Sequence, residues 1–391
     1  MRWAPDRSPA AAVVVAGLLL LGVTGARAQE DTPDFPRLAG TLIERIDPGA
    51  GERLLLVGRS GRFDPLVPLL RRRAEEAGAV FAGALNVEDG ALATGGARGP
   101  LAGAVRGLGR AALADLFADR VDVAVMLPGA SVEDTAYVAM QDVLRRSRAR
   151  TVHFHWAGAF DLEGRELPVT PEIDGAYERA VLETDYRALA RDQRAFVEAM
   201  RGKEIRVSTP AGTDLRFRIG DRPVTRQDGD ASAARADRAR NLVDREVEIP
   251  AGAVRVAPLE ETVNGVIVFP ASWWGGVRVA DLRLEIEAGR VVALEAAEGE
   301  AAVRAEMARA GPVARRFREF ALGFNPLLAV PEREPWIPYY GYGAGVVRLS
   351  LGDNTELGGA VGGGWVRWNF VTDATVRAGA ELWVEEGRRV R

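Results

Sequence analysis

The chain has 391 residues, 47% of them hydrophobic, enough for two ordinary domains with real cores. Its charge is mixed, with a formal net of -4, and no run of like charge is long enough to make a nucleic-acid surface. Cysteine is absent, so no disulfide or thiol enters the chemistry, and Lys203 is the only lysine among 51 basic residues.

The first segment reads as a secretory signal over residues 1–28. Arg2 and Arg7 give a basic start, 10–23 is a short apolar run, and Ala26-Arg27-Ala28 is a small-x-small cleavage site. The mature protein is then expected to start near Gln29 and to be periplasmic or extracellular, an uncleaved anchor being the alternative. The apolar run is short for a bilayer span, and nothing later reads as one, so no membrane association is expected after cleavage.

Residues 30 to about 50 read as a Pro-containing lead-in. "RLLLVG" (53–58) is a short apolar strand. "DPLVPLLRRRAEEAG" (64–78) is an amphipathic helix with Asp64 placed to cap it and Pro65 in its first turn. "AVFAGALNV", "VDVAVMLPG" and "TVHFHWAG" are further strands, separated by the helices "AALADLFADR" and "AYVAMQDVLRRSR". Repeated βα units of this kind imply a parallel sheet with helices on its faces. "GRSG" after the first strand lacks the spacing of a phosphate loop and reads as an ordinary turn. A long helix over about 176–201 closes this half. The second half alternates like antiparallel β: the hairpin "EIRVSTPAGTDLRFRIG", then "REVEIPAGAVRVAPLEETVNGVIVF" and "LRLEIEAGRVVALEAA", interrupted by one helix over about 298–318. The fold expected is an α/β domain over 29–200 and a β-rich α+β domain over 201–391.

Two features invite chemistry. His153 and His155 are the only histidines, and His-x-His on a strand turns both imidazoles to one face, a metal-binding geometry; two ligands alone are too few for a structural site. Near the C-terminus, "GGGWVRWNF" (362–370) alternates as a strand, with Trp365, Arg367 and Asn369 on one face and an apolar set, Val366, Trp368 and Phe370, on the other. The aromatic groups Trp273-Trp274 and Trp336 to Tyr340 either line a binding surface or pack a β-rich core. No "GxSxG" elbow is present.

In order and spacing, "TPAGTDLRFRI", "IPAGAVRVAPLEETVNGVIVF", "REFALGFN", "GVVRLSLGDN", "VRWNF" and "VEEGRRV" resemble the aminopeptidase T family of metallopeptidases. The resemblance covers about 200–391 and implies an N-terminal α/β domain, a C-terminal domain housing a site for two divalent metal ions, hydrolysis of N-terminal residues from peptides, and a homodimer built through the C-terminal domain. Carried over position by position, the family's site is degenerate here. Its first carboxylate falls on Ala253. Its Glu ahead of "FALG" is retained as Glu319. Its His falls on Arg348, its Tyr on Thr355, and its His-Trp-Asp on Arg367-Trp368-Asn369. Guanidinium does not ligate cations, so one ligand in six survives and no metal cofactor is expected.

Three functions follow from that pattern. The first is a metal-free pseudoenzyme whose cleft binds a peptide or small anion through Arg348 and Arg367. The second is an active metallo-aminopeptidase with rearranged ligands drawn from Glu260, Glu261, Asp353, Glu356 and Asp373, or from His153 and His155. The third is a structural or assembly role. An open cationic pocket would favour the first, and a pocket filled with salt bridges the third.

Overall fold

The computed structural model describes residues 32–391 apart from 88–99, 102 and 103; the signal segment expected over 1–28 lies outside the described residues. No described helix is long and apolar enough to cross a membrane.

Five parallel strands form the first sheet, in the order Glu246–Glu248, Arg150–His153, Val123–Met126, Arg53–Gly58, Val80–Asn86. Both faces are covered, as a parallel sheet requires. Leu54, Leu56, Val123, Val125 and Val152 pack on one side with Leu38, Leu42 and Ile46 of the Phe35–Ile46 helix. Their alternates Leu55, Val57, Ala124 and Met126 pack on the other side with Phe117 and Met140.

Sequence and structure differ at several points. The lead-in contains a full helix, Phe35–Ile46, capped by Asp34, whose carboxylate accepts from the Arg37 amide at 3.1 Å. Asp64 does not cap the next helix, Leu66–Glu76: its carboxylate accepts from the Gly61 amide instead, and Pro65 occupies the cap position. The long helix is two, Pro171–Leu182 and Tyr186–Met200. Asp185 restarts it by accepting from the Ala188 amide at 2.9 Å. The late helix is short, Glu300–Ala310, and is followed by strand from Phe317. The difference that matters most for the site is "REVEIP". Glu246–Glu248 is not antiparallel but joins the first sheet, parallel to Arg150–His153.

Only four residues separate Glu248 from the Ala253–Val256 strand of the second sheet. That sheet runs Val366–Arg367, Val347–Gly352, Phe317–Gly323, Ala253–Val256, Thr225–Arg226, with Phe370–Val371 also on Val347–Gly352. A third, eight-stranded antiparallel sheet contains the hairpin Ile205–Ser208 and Asp214–Phe217 and the long pair Asn264–Trp274 and Val277–Glu287. Strand alternation divides the second sheet cleanly. Val254, Val256, Phe320, Leu322, Leu349 and Leu351 face a core shared with the third sheet and Phe196. Their alternates, Arg255, Glu319, Arg348 and Ser350, are also buried, but they are polar. A buried polar face on an otherwise apolar sheet directs attention to the site.

Candidate functional site: a filled arginine cluster beside a histidine pair

Register assembles the first half of the site. Ala321 sits between Arg255 on one neighbouring strand and Arg348 on the other, and Glu319 lies two residues along on the same face. The small Ala321 side chain lets both guanidiniums reach Glu319. Arg255 Nε donates to Glu319 Oε1 at 2.6 Å, and Arg348 Nη2 donates to the same oxygen at 2.8 Å. Arg318 Nε lies 3.5 Å from Glu319 Oε2. Glu356 pairs with Arg318 and lies 3.6 Å from Arg255. Arg348 Nη1 donates to the Tyr340 carbonyl, and its guanidinium stands 5.2 Å from the Trp368 ring centre and 5.9 Å from that of Tyr342. Burial would raise the Glu319 carboxyl. The charges of Arg255, Arg348 and Arg318 outweigh it and hold the group well below the usual carboxylate range.

This arrangement does not fit the family's metal ions. Glu319 Oε2 is buried and makes no hydrogen bond, the kind of atom a cation would use, but the cation beside it is Arg318. Three arginines and two glutamates leave the cluster net positive, whereas a two-metal site needs the opposite balance.

The other carried-over positions are dispersed. Ala253 is fully buried opposite Gly323. Thr355 is exposed and donates its hydroxyl to Asp353 Oδ1 at 2.6 Å. Arg367 pairs not with Glu319 but with Glu306, at 2.8 Å; it also donates to the Trp273 carbonyl and to Asn369 Oδ1, and stacks 3.5 Å from the Trp274 ring centre. Asn369 Nδ2 donates to the Leu349 carbonyl. The apolar face of 362–370 is divided: Val366 is 38% and Trp368 40% exposed, while Phe370 is half-buried against Phe160. The glycines there serve Asp353, whose Oδ2 accepts from the Gly363 and Gly364 amides at 2.8 Å each. Gly363 has φ +142° and its hydrogen faces the Val313 side chain, leaving no room for a Cβ. Of the alternative acids, Glu260 is buried and occupied by Arg222, Asn354 and the Ala360 amide. The aromatic groups Trp274, Trp336 and Tyr339 are core.

Since Arg367 ties the Val366–Arg367 strand to the Asn264–Trp274 strand and the Glu300–Ala310 helix, Arg367→Ala is expected to cost about 2 kcal/mol of unfolding free energy, from the lost stack and charged hydrogen bonds. Urea denaturation checks this, and an unchanged midpoint would show the guanidinium to be idle.

The second half of the site is the histidine pair, at the carboxyl ends of the Arg150–His153 and Glu246–Glu248 strands. His153 pairs in register with Glu248, and its Nδ1 lies 3.2 Å from Glu248 Oε1. Its Nε2 lies 3.2 Å from Thr151 Oγ1. The His155 ring centre is 4.9 Å from that of His153 and 6.5 Å from that of Tyr340. The Tyr339 hydroxyl lies 3.2 Å from Glu248 Oε2 and donates most closely to the Ile249 carbonyl, at 2.9 Å. Burial pushes the His155 imidazole down to about 4. Burial would raise Glu248, but the charge and hydrogen bond of His153 hold it at about 2, and the same pairing raises His153 despite its own burial. Burial lifts Glu246 to about 7.

Arg255, Arg318 and Glu248 were not singled out in the sequence. Arg255 had a signal, being two residues after Ala253 on the same strand face. Glu248 had none, because its strand crosses into the other sheet.

Comparison with known proteins agrees with this architecture. Residues 184–327 match the family described as thermophilic metalloprotease (M29). No curated protein matches the chain. Among solved structures, 2,5-dihydroxypyridine dioxygenase from Pseudomonas putida KT2440 is similar at 16% identity and TM-score 0.61, covering 91% of this chain and 96% of that one. Wild-type AmpT from Thermus thermophilus is similar at 17% identity and TM-score 0.53, covering 91% of this chain and 99% of that one. Residues 184–327 are thus similar to the thermophilic metalloproteases, and the chain as a whole has a fold similar to that of AmpT, a parallel sheet followed by antiparallel β.

Proposed function

We propose that this protein is a pseudoenzyme at the family's position: it keeps the aminopeptidase T-like fold and has exchanged the metals for a closed salt-bridge cluster. The observation that carries this reading is Glu319, fully buried and gripped by Arg255 and Arg348 with Arg318 alongside. The fold alone decides nothing, since it also resembles that of 2,5-dihydroxypyridine dioxygenase. An anion at Arg348 or Arg367 has to displace Glu319 or Glu306, so a peptide or other carboxylate ligand belongs to this reading only as a competitor for those guanidiniums. The filled cluster gives weight to a scaffold or assembly role exerted through the surface, homodimerisation included. Export directed by residues 1–28 is part of the same proposal, and N-terminal sequencing of the recovered protein is expected to begin at Gln29.

The test is catalytic. Supplied with zinc or cobalt, the protein is expected to leave amino-acid amides and short peptides intact. Chelator-sensitive hydrolysis that disappears in Glu319→Gln would overturn the reading.

A further inference from the structure

We propose that His153, His155 and Glu248 form a mononuclear site for a first-row divalent transition-metal ion, distinct from the arginine-filled family position. One ligand atom from each lies within 4.8 Å of the other two. Metal bonds of about 2.0–2.2 Å hold ligand atoms somewhat closer together, a difference that rotation of the side chains closes. The backbone supplies the rest of the geometry. Two parallel strands set His153 directly opposite Glu248, and His155, two residues past the end of the strand, has its ring centre 4.9 Å from that of His153.

The surroundings are those of metal ligands. His155 makes no hydrogen bond among the described residues, so its imidazole is uncommitted, and it is half-buried rather than sealed. His153 has its second nitrogen against Thr151 Oγ1, and Glu248 has its second oxygen against the Tyr339 hydroxyl. Such outer partners fix the orientation of ligating imidazoles and carboxylates. The place in the fold agrees, since ligands of open parallel sheets gather beyond the carboxyl ends of the strands. Two imidazoles and one carboxylate leave coordination positions open, as in His2Glu zinc sites and in ferrous sites of the two-histidine, one-carboxylate kind. On binding, the ion takes the place of the proton shared by His153 and Glu248, which passes to solvent.

The experiment uses the full chain, stripped with chelator and titrated with Zn2+ or Co2+. Metal is counted by elemental mass spectrometry after desalting, and Co2+ ligation is followed by its visible absorption bands. One ion per chain is expected, with bands that report nitrogen ligation. His155→Phe removes the ligand nitrogen, has no hydrogen bond to lose and keeps an aromatic ring against His153, Tyr137 and Tyr340, and it is expected to abolish stoichiometric binding while the metal-free melting temperature holds. Glu248→Gln keeps the side-chain volume and hydrogen-bonding capacity toward His153 and Tyr339 but removes the anion, and it is expected to abolish binding as well. No bound metal in the unsubstituted chain, or binding unchanged in both variants, would overturn the proposal. Neither result touches the reading of the family position, which is decided by hydrolysis.

Discussion

Replacing Glu319 with alanine is expected to lower the unfolding free energy by about 3–5 kcal/mol, the usual consequence of deleting one member of a buried charge network. Arg255, Arg318 and Arg348 are 7%, 2% and 2% exposed. Without Glu319, only the half-buried Glu356 faces these three guanidiniums, and water cannot replace the missing anion. The loss measures the cost of stranded charge rather than the worth of the cluster, since an apolar packing of the whole set could be equally stable. The same carboxyl sets an acid limb. Its folded-state affinity for a proton is depressed below the ordinary value of 4.5, so the unfolded chain takes up the proton first. Stability from the cluster is therefore complete above pH 5 or so. It falls as the pH drops further, and Glu319→Gln should flatten that slope. Urea unfolding at pH 7 and at steps down to pH 3 checks both points. A cost under about 1 kcal/mol for Glu319→Ala would mean that the arginines find water.

Glu319 also shows how far the sequence could be read. The βα repeats and the antiparallel second half are local patterns, visible in alternation and spacing, while only the family resemblance pointed to Arg348, Arg367 and Asn369. What Arg348 and Arg367 bind is not local. Both guanidiniums occupy related motif positions, yet one turns inward to Glu319 and the other outward to Glu306 on a helix 61 residues away in sequence. The third member of the histidine site was hidden for a similar reason. Glu248 lies in a three-residue strand whose pattern is equally compatible with either sheet, and only its parallel pairing with His153 makes it a partner. Misplaced helix ends had a more ordinary origin. Asp34 and Asp185 cap strongly amphipathic helices at positions not read as helix starts, while Asp64 was diverted to a turn.

The second large effect is expected from Gly323→Ala, in the "FALG" motif. An added Cβ there would lie 1.9 Å from the Gly343 carbonyl oxygen and 2.8 Å from that of Gly341. These are backbone atoms, so no rotamer relieves the collision, and the segment 341–343 has to move. That segment is held against the strand by the Gly323 amide donating to Val346 and by Gly345 donating back to Gly323. It also joins the two halves of the site. Tyr342 lies over Arg348, the Tyr340 carbonyl accepts from Arg348 while its ring faces His155 and Trp368, and Tyr339 reaches Glu248. Pushing the strap outward therefore loosens the cover of the arginine cluster and the support of Glu248 together. A cost of about 3 kcal/mol, the upper end for overpacking, is expected in urea unfolding. It should be accompanied by a changed near-ultraviolet circular dichroism from the stacked tyrosines and Trp368. A variant within about 0.5 kcal/mol of the parent, with an unchanged aromatic spectrum, would show that the strap yields freely. In that case its tight seat on Gly323 would not be what holds the two clusters side by side.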